Sequence, residues 1–323
     1  MTDAPSESVP DGETAGAGET LPRLARARLW WHVAKRVWHQ IDERHMFLIA
    51  AGVAFYGMLA IFPAIAAVVA LWGLFNDPAN VLPQLEYYSG IIPDDAYSLL
   101  ATQVQTLTSA ESGALGWASG LSFAVALWST RAGVAALMMG MNAVYVERNR
   151  QGLAHYATAL VLTVSLIFVA LVAIASIIIA PIIMAFVPLG PVAGFAAEAV
   201  RWVVAIAVLL FGAGIIYRYG PNRRGARVGW ITPGALLAVA LWGVASWGFG
   251  IYLSEFGRYS EVYGSIGAVV ALLMWLFISA FLLLLGAAVN AELERHTRAD
   301  STVGPAKPLG ERGAQAADTY IEV

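Results

Sequence analysis

AVVALLMWLFISAFLLLLGAAV, residues 268–289, runs for 22 residues without one charged side chain. A helix of that length, at ~1.5 Å per residue, spans the ~30 Å hydrocarbon core of a bilayer. The run belongs to an apolar segment from about Tyr263 to Leu293, and five others precede it. They cover roughly Met46–Phe75, Ala114–Tyr145, Leu153–Met184, Arg201–Tyr219 and Trp230–Leu253. Hydrophobic residues make up 59% of the 323-residue chain and charged residues 13%, against ~25% charged in soluble domains. A soluble fold could not hide six such segments. The sequence predicts an all-α integral membrane protein with six transmembrane helices.

Working outward from the spans, the bases fall in alternate gaps. Sixteen of the 19 Lys and Arg residues lie in four places: before span 1 (Arg23 to Arg44), after span 2 (Arg148, Arg150), after span 4 (Arg218 to Arg227) and after span 6 (Arg295 to Arg312). The other gaps hold only Arg201 and Arg258, and Arg131 stands inside span 2. Cytoplasmic loops retain Lys and Arg, and this bias sets orientation. Both termini are therefore expected in the cytoplasm. The first twenty residues lack the basic-then-apolar order of a cleaved signal peptide, so span 1 is expected to act as its own signal.

Residues 1–22 and 299–323 are poor in large apolar side chains and are expected to be disordered cytoplasmic tails. Between them, 46–298 form the membrane domain and 23–45 a separate helix. In that helix Leu24, Ala27, Trp30, Trp31, Ala34, Val37, Trp38 and Ile41 recur at helical spacing with bases between them. A basic, Trp-rich amphipathic helix beside a span suits the cytoplasmic membrane surface, where it contacts anionic lipid. It reads first as an anchor and second as a lipid sensor. The segment 76–113 carries five acids and no base, and Leu99, Leu100, Val104 and Leu107 suggest a short helix over the outer mouth.

Several functions have no sequence support. With no Cys, disulfides, thiolate metal sites and cysteine nucleophiles are excluded. The five His residues form no HExxH pattern, and neither a GxSxG elbow nor a phosphate-cradling loop is present. No catalytic residue, metal or cofactor is expected. A net charge of −3 exerts no general pull on nucleic acid.

The unusual residues are polar ones inside or beside the spans. Arg131 leads, because an arginine at the centre of a membrane helix costs ~2.5–3.5 kcal/mol on insertion scales and is a functional candidate by default. One straight helix from Ala114 to Tyr145 would be longer than a bilayer requires, so a break at Ser129-Thr130 or a strong tilt is expected. Arg131 then either braces the break or meets a substrate. Span 6 places Ser265, Ala268, Leu272, Ser279, Gly286 and Asn290 on one face, which suits close helix packing. Asn290 with Glu292, and Asn142 in span 2, are candidates for a polar vestibule. Between spans 5 and 6, Glu255, Arg258, Tyr259, Glu261 and Tyr263 form either an interfacial belt or an outer mouth.

These residues resemble a family. Phe55-Tyr56-Gly57-Met58-Leu59-Ala60-Ile61-Phe62-Pro63, Trp128-Ser129-Thr130-Arg131-Ala132-Gly133, Asn142-Ala143-Val144-Tyr145, Pro233-Gly234, Tyr259, Tyr263-Gly264-Ser265, Trp275 and Gly286-Ala287-Ala288-Val289-Asn290 are similar to motifs of the YihY/BrkB group of bacterial inner-membrane proteins. Where that group often carries an acid, Ala288 stands here. The resemblance implies six membrane helices and a link to virulence or serum resistance, and offers no catalytic residues. Members have also carried a ribonuclease BN label, which conflicts with the absence of an acid–base cluster or electropositive groove. The expected function is a multi-pass transporter or exporter of an unknown solute or lipid. Spans 1, 2, 5 and 6 would line its path, with Arg131, Tyr56 and Asn142 along it. The other reading is a non-transporting scaffold that organises the envelope; either is compatible with an oligomer.

Overall fold

The computed structural model describes residues 23–75, 112–186, 191–223, 229–256, 260–297 and, apart from 304 and 306, residues 300–322. The expected tail 1–22 and the acidic segment, with its proposed short helix, lie outside them. Eight helices and no β-strand occur among the described residues. They are α1 (Arg23–Glu43), α2 (Met46–Phe75), α3 (Ser112–Tyr145), α4 (Gly152–Phe186), α5 (Pro191–Tyr219), α6 (Pro233–Phe256), α7 (Ser260–Arg295) and α8 (Gln315–Asp318).

Helices α2 to α7 pack in chain order, each on the next, and α7 closes the ring by returning to α2 while also meeting α3. Small residues make these approaches possible. A Cβ added at Gly140 of α3 would lie 2.7 Å from both Ile49 of α2 and Leu284 of α7. The core is concentrated at this junction, where Met46, Ala50, Met141, Tyr145, Tyr217 and Leu284 are buried together.

Most of the remaining apolar surface faces outward, including Phe168 at 67% exposure and Trp247 at 72%. Apolar surface on that scale needs lipid or a partner as its solvent. Five helices (α3 to α7) are long and apolar enough to cross a membrane over their described residues, and α2 joins them as a bent pair with α1. The axes of α1 and α2 differ by 63°. The turn between them is set at His45, whose positive φ of 50° ends α1, and Met46 restarts the helix.

Helix α1 has three faces. Val33, Val37 and Gln40 are buried, and α1 packs on α7 and α2. Trp31 and Trp38, one heptad apart, are 72% and 73% exposed on a second face. Arg28, Lys35 and His39 are exposed on a third. The expected single apolar stripe is thus divided: Val37 and the partly buried Ile41 join the protein side, and the tryptophans turn away from it.

Two expectations are corrected. Of the expected break or tilt, the break is overturned: residues 129–131 continue one helix from Ser112 to Tyr145. Thr130 Oγ1 donates to Ala126 O at 2.8 Å within that helix, so its hydroxyl is accommodated without a break. The C-terminal segment, expected to be disordered from 299, is packed from 300 onward among the described residues. Ala314, Ala316 and Ala317 are buried, and Ile321 N donates to Arg295 O at 2.9 Å. Two aspartates organise the segment. Asp318 accepts from the amides of Gly310, Arg312 and Gly313, while Asp300 accepts from those of Thr302 and Lys307. Such carboxylate-to-amide bonds need no large apolar residue, which is why composition alone misreads this stretch.

Candidate functional site

The described parts of the four basic segments meet at one end of the bundle. Asn222 Nδ2 donates to Arg148 O at 2.8 Å, Arg150 donates to Gly220 O at 2.7 Å, and Gln315 N donates to Glu147 Oε1 at 2.9 Å. The buried side chains of Gln40, Asn142, Glu292 and Arg295 lie there too.

Glu292, on the last turns of α7, is fully buried. One carboxylate oxygen accepts from Gln40 Nε2 of α1 and from Arg295 Nη1 one turn later. Arg295 also reaches Val144 O at the end of α3, at 3.3 Å. The three helices are therefore joined through one acid–base pair. The network is incomplete, since Glu292 Oε2 and Gln40 Oε1 are buried without a hydrogen-bond partner. A buried polar atom left unpaired costs ~1–3 kcal/mol, which makes this a stressed junction.

A second ion pair lies alongside. Arg223, after α5, pairs with Glu294 of α7, which also accepts from Ser301. The Arg223 guanidinium stacks 4.5 Å from the Tyr145 ring centre. Four asparagines complete this end. Asn142 is buried, donates to Asn149 Oδ1 at 2.8 Å and accepts from Asn222 N at 2.6 Å. Asn290 accepts from Gly234 N at 2.8 Å and donates to Thr232 Oγ1 at 2.9 Å, fixing the start of α6 against α7. Tyr217 donates to Leu283 O at 2.9 Å.

The link from α3 to α4 is strained. Val146 has φ of 61°, and Glu147 N donates back to Asn142 O at 2.8 Å. This is a helix-ending turn that usually takes glycine at the left-handed position. A β-branched residue there is an outlier held by its surroundings.

The expected site residues separate. Asn142, Asn290 and Glu292 come to the basic end together. Arg131 faces another way: its guanidinium lies 4.4 Å from the Trp128 ring centre and 4.9 Å from that of Tyr156 on α4. It is 9% exposed, and its Nε has no hydrogen-bond partner. Tyr56 is 39% exposed on α2 beside Phe55, and its Cβ would lie 3.5 Å from a Cβ built at Gly133 of α3. Arg258 and Tyr259 lie outside the described residues; Glu255, Glu261 and Tyr263 lie in α6 and α7, with side chains outside the description. Gln40, Tyr217, Arg223 and Arg295 were not expected. Three of them sit in stretches dominated by the topology signal or by interfacial patterning, and Tyr217 at a span end resembles an ordinary belt residue.

Among the described residues no group of three or more His, Asp, Glu or Cys side chains could hold a metal ion.

The family model described as virulence factor BrkB matches residues 37–309. The chain is 30% identical over 257 residues to the ribonuclease-like protein YfkH of Bacillus subtilis, a match covering 77% of this chain and 90% of that protein. A UPF0761 membrane protein of Xanthomonas oryzae is 40% identical over 79 residues, 24% of this chain and 18% of the relative. A UPF0761 membrane protein of Xanthomonas campestris matches to the same extent. No solved structure matches. The chain belongs to the virulence factor BrkB family and is a membrane protein with several apolar helices.

Proposed function

We propose that this BrkB-family chain is a six-span transporter or exporter of the bacterial inner membrane, with both termini cytoplasmic. The orientation rests on the gathering of the described parts of four basic segments at one end, combined with the retention of Lys and Arg in the cytoplasm. In this setting the face of α1 carrying Trp31 and Trp38 lies in lipid, and the face carrying Arg28 and Lys35 meets anionic headgroups. The observation that carries a transport role is the Gln40–Glu292–Arg295 network. Ionisable residues buried between membrane helices are expensive, and they commonly mark ion or substrate paths. Here they join α1, α3 and α7 with acceptors to spare, an arrangement suited to a gate with two pairing states. Glu255, Arg258, Tyr259, Glu261 and Tyr263 would form the opposite mouth. We read the chain as non-enzymatic, and the ribonuclease wording in a relative's name stays with that relative.

The test uses purified protein in vesicles carrying entrapped pH dye and a fluorescent phospholipid. Wild type should move protons or lipid faster than protein-free vesicles do, and Glu292→Gln should raise the leak by loosening the gate. No movement of either probe, together with co-purification of a stoichiometric partner, would instead establish the second reading, an envelope scaffold. That reading draws support from the exposed tryptophan face of α1 and from the ordered C-terminal segment, two surfaces on which a partner could dock.

A further inference from the structure

A cleft of about 530 Å³ lies where α4 begins and α5 ends. It is lined by Asn149, Arg150, Gln151, Thr158, Asn222 and Arg223, and none of its described lining residues is acidic. A neighbouring cleft of about 290 Å³ includes Glu147 and is less suited to an anion.

The wall of the larger cleft is built rather than incidental. Arg150 is held by the carbonyl oxygens of Tyr219, Gly220 and Pro221, at 3.3, 2.7 and 2.9 Å. Its positive charge is thereby fixed by neutral acceptors. The Arg223 side chain is 4% exposed; one amino group engages Glu294, while its Nε is buried with no acceptor. Gln151 immediately precedes the 35-residue α4, and Thr158 lies within its first two turns. The first amides of such a helix lack intrahelical acceptors and, with the helix dipole, favour an anion. Close by, Leu153 is 87% and Tyr219 47% exposed, so apolar surface adjoins the polar cleft as it would at a lipid headgroup boundary.

We propose that this cleft binds a phosphate-bearing anion, presented either as an anionic phospholipid headgroup or as free phosphate. The site does not depend on whether the protein transports anything.

Two arms separate the sources. Full-length protein in maltoside micelles is titrated with inorganic phosphate, and the melting temperature is followed. In parallel, protein from vesicles of phosphatidylcholine and phosphatidylglycerol is delipidated, and retained phosphatidylglycerol is read by native mass spectrometry. Wild type should respond in at least one arm. The double variant Asn149→Asp, Gln151→Glu should bind about tenfold more weakly or worse, because it sets carboxylates in the cleft. It should fold normally: an aspartate at 149 keeps the oxygen that accepts from Asn142, and Gln151 is exposed. An Arg201→Gln variant, altered at the exposed Glu198–Arg201 pair of α5, should bind as wild type does. The proposal is overturned by a null result in both arms, by undiminished binding in the double variant, or by an equal loss in the Arg201 control.

Discussion

Replacing Gly286 with alanine should push α6 and α7 apart. A Cβ at 286 would lie 2.5 Å from Gly234 O and 2.9 Å from Ala238 Cβ, and would also run into the Tyr217 hydroxyl. Comfortable separations are ~3.5–4.0 Å, so the helices must part by roughly 1 Å. Overpacking of this kind costs ~1–3 kcal/mol. The shift also strains the bonds from Tyr217 to Leu283 and from Gly234 to Asn290, each worth about 0.6 kcal/mol within a membrane. Against this, alanine in a helix interior regains ~0.5–1 kcal/mol over glycine. The net expectation is a destabilisation of about 2–3 kcal/mol. Equilibrium unfolding in mixed dodecyl sulfate and maltoside micelles, followed by near-ultraviolet circular dichroism, measures it. The controls are Gly243→Ala and Gly248→Ala on α6, where an added Cβ meets nothing within 4 Å; these should be neutral or mildly stabilising. Gly234→Ala demands the same displacement, since its Cβ would lie 2.6 Å from Asn290 and would also strike Gly286 O. The double variant should therefore cost less than the sum of the single ones. A Gly286→Ala protein as stable as Gly243→Ala would refute the close crossing.

Three further outcomes are expected. Glu292→Ala leaves Arg295 buried without its acid and should cost ~3–5 kcal/mol, much of it recovered when Arg295→Met is added; the same unfolding assay reads both. Val146→Gly relieves a left-handed β-branched residue and should raise stability by ~1 kcal/mol, unless the link from α3 to α4 is rebuilt. Hydrogen bonds from Thr302 and Lys307 hold the Asp300 carboxyl at about 2, below its ordinary 3.8. A depressed acid stabilises above its unfolded value, and the effect is lost as pH falls through the folded one. Hydrogen exchange in 300–322 should therefore stay protected at neutral pH and open between about pH 4 and pH 2, once the intrinsic pH dependence of exchange is removed. Asp300→Asn should weaken protection at neutral pH.

The sequence carries the membrane architecture because apolar length is a one-dimensional property. The helix limits followed from it closely for α2 and α4, less so for α5, which extends back to Pro191 through Glu198 and Arg201. Those two pair at 2.9 Å as exposed neighbours, an arrangement that a hydropathy boundary does not register. The folded C-terminal segment escaped notice because alanines and aspartates fold it through local amide bonds. Likewise, Asn290 and Glu292 stood out as polar residues at a span end. Their partners Thr232, Gln40 and Arg295 could not be named from the chain, because each pairing depends on which helix faces which.

Arg131 shows how the same logic can single out a residue and miss its neighbours. A charge inside an apolar helix must be neutralised, shielded or wetted, so the sequence directs attention to a carboxylate, free carbonyls or a watery path. Aromatic faces offer another solution, and Trp128 lies three residues earlier on α3 itself. With Tyr156 of α4, it places two ring quadrupoles beside the guanidinium, at 4.4 and 4.9 Å, each attraction worth ~0.5–2 kcal/mol depending on desolvation. Arginine suits this role better than lysine because its planar group stacks. The stacking joins α3 to α4, whereas the polar network of Glu292 joins α1, α3 and α7. Helix α3 thus carries two separate polar contacts, one near its middle and one at its end. Movement at the Glu292 junction would shift the end of α3 while Arg131 holds its middle to α4, which is why the proposed gate is placed at the basic end.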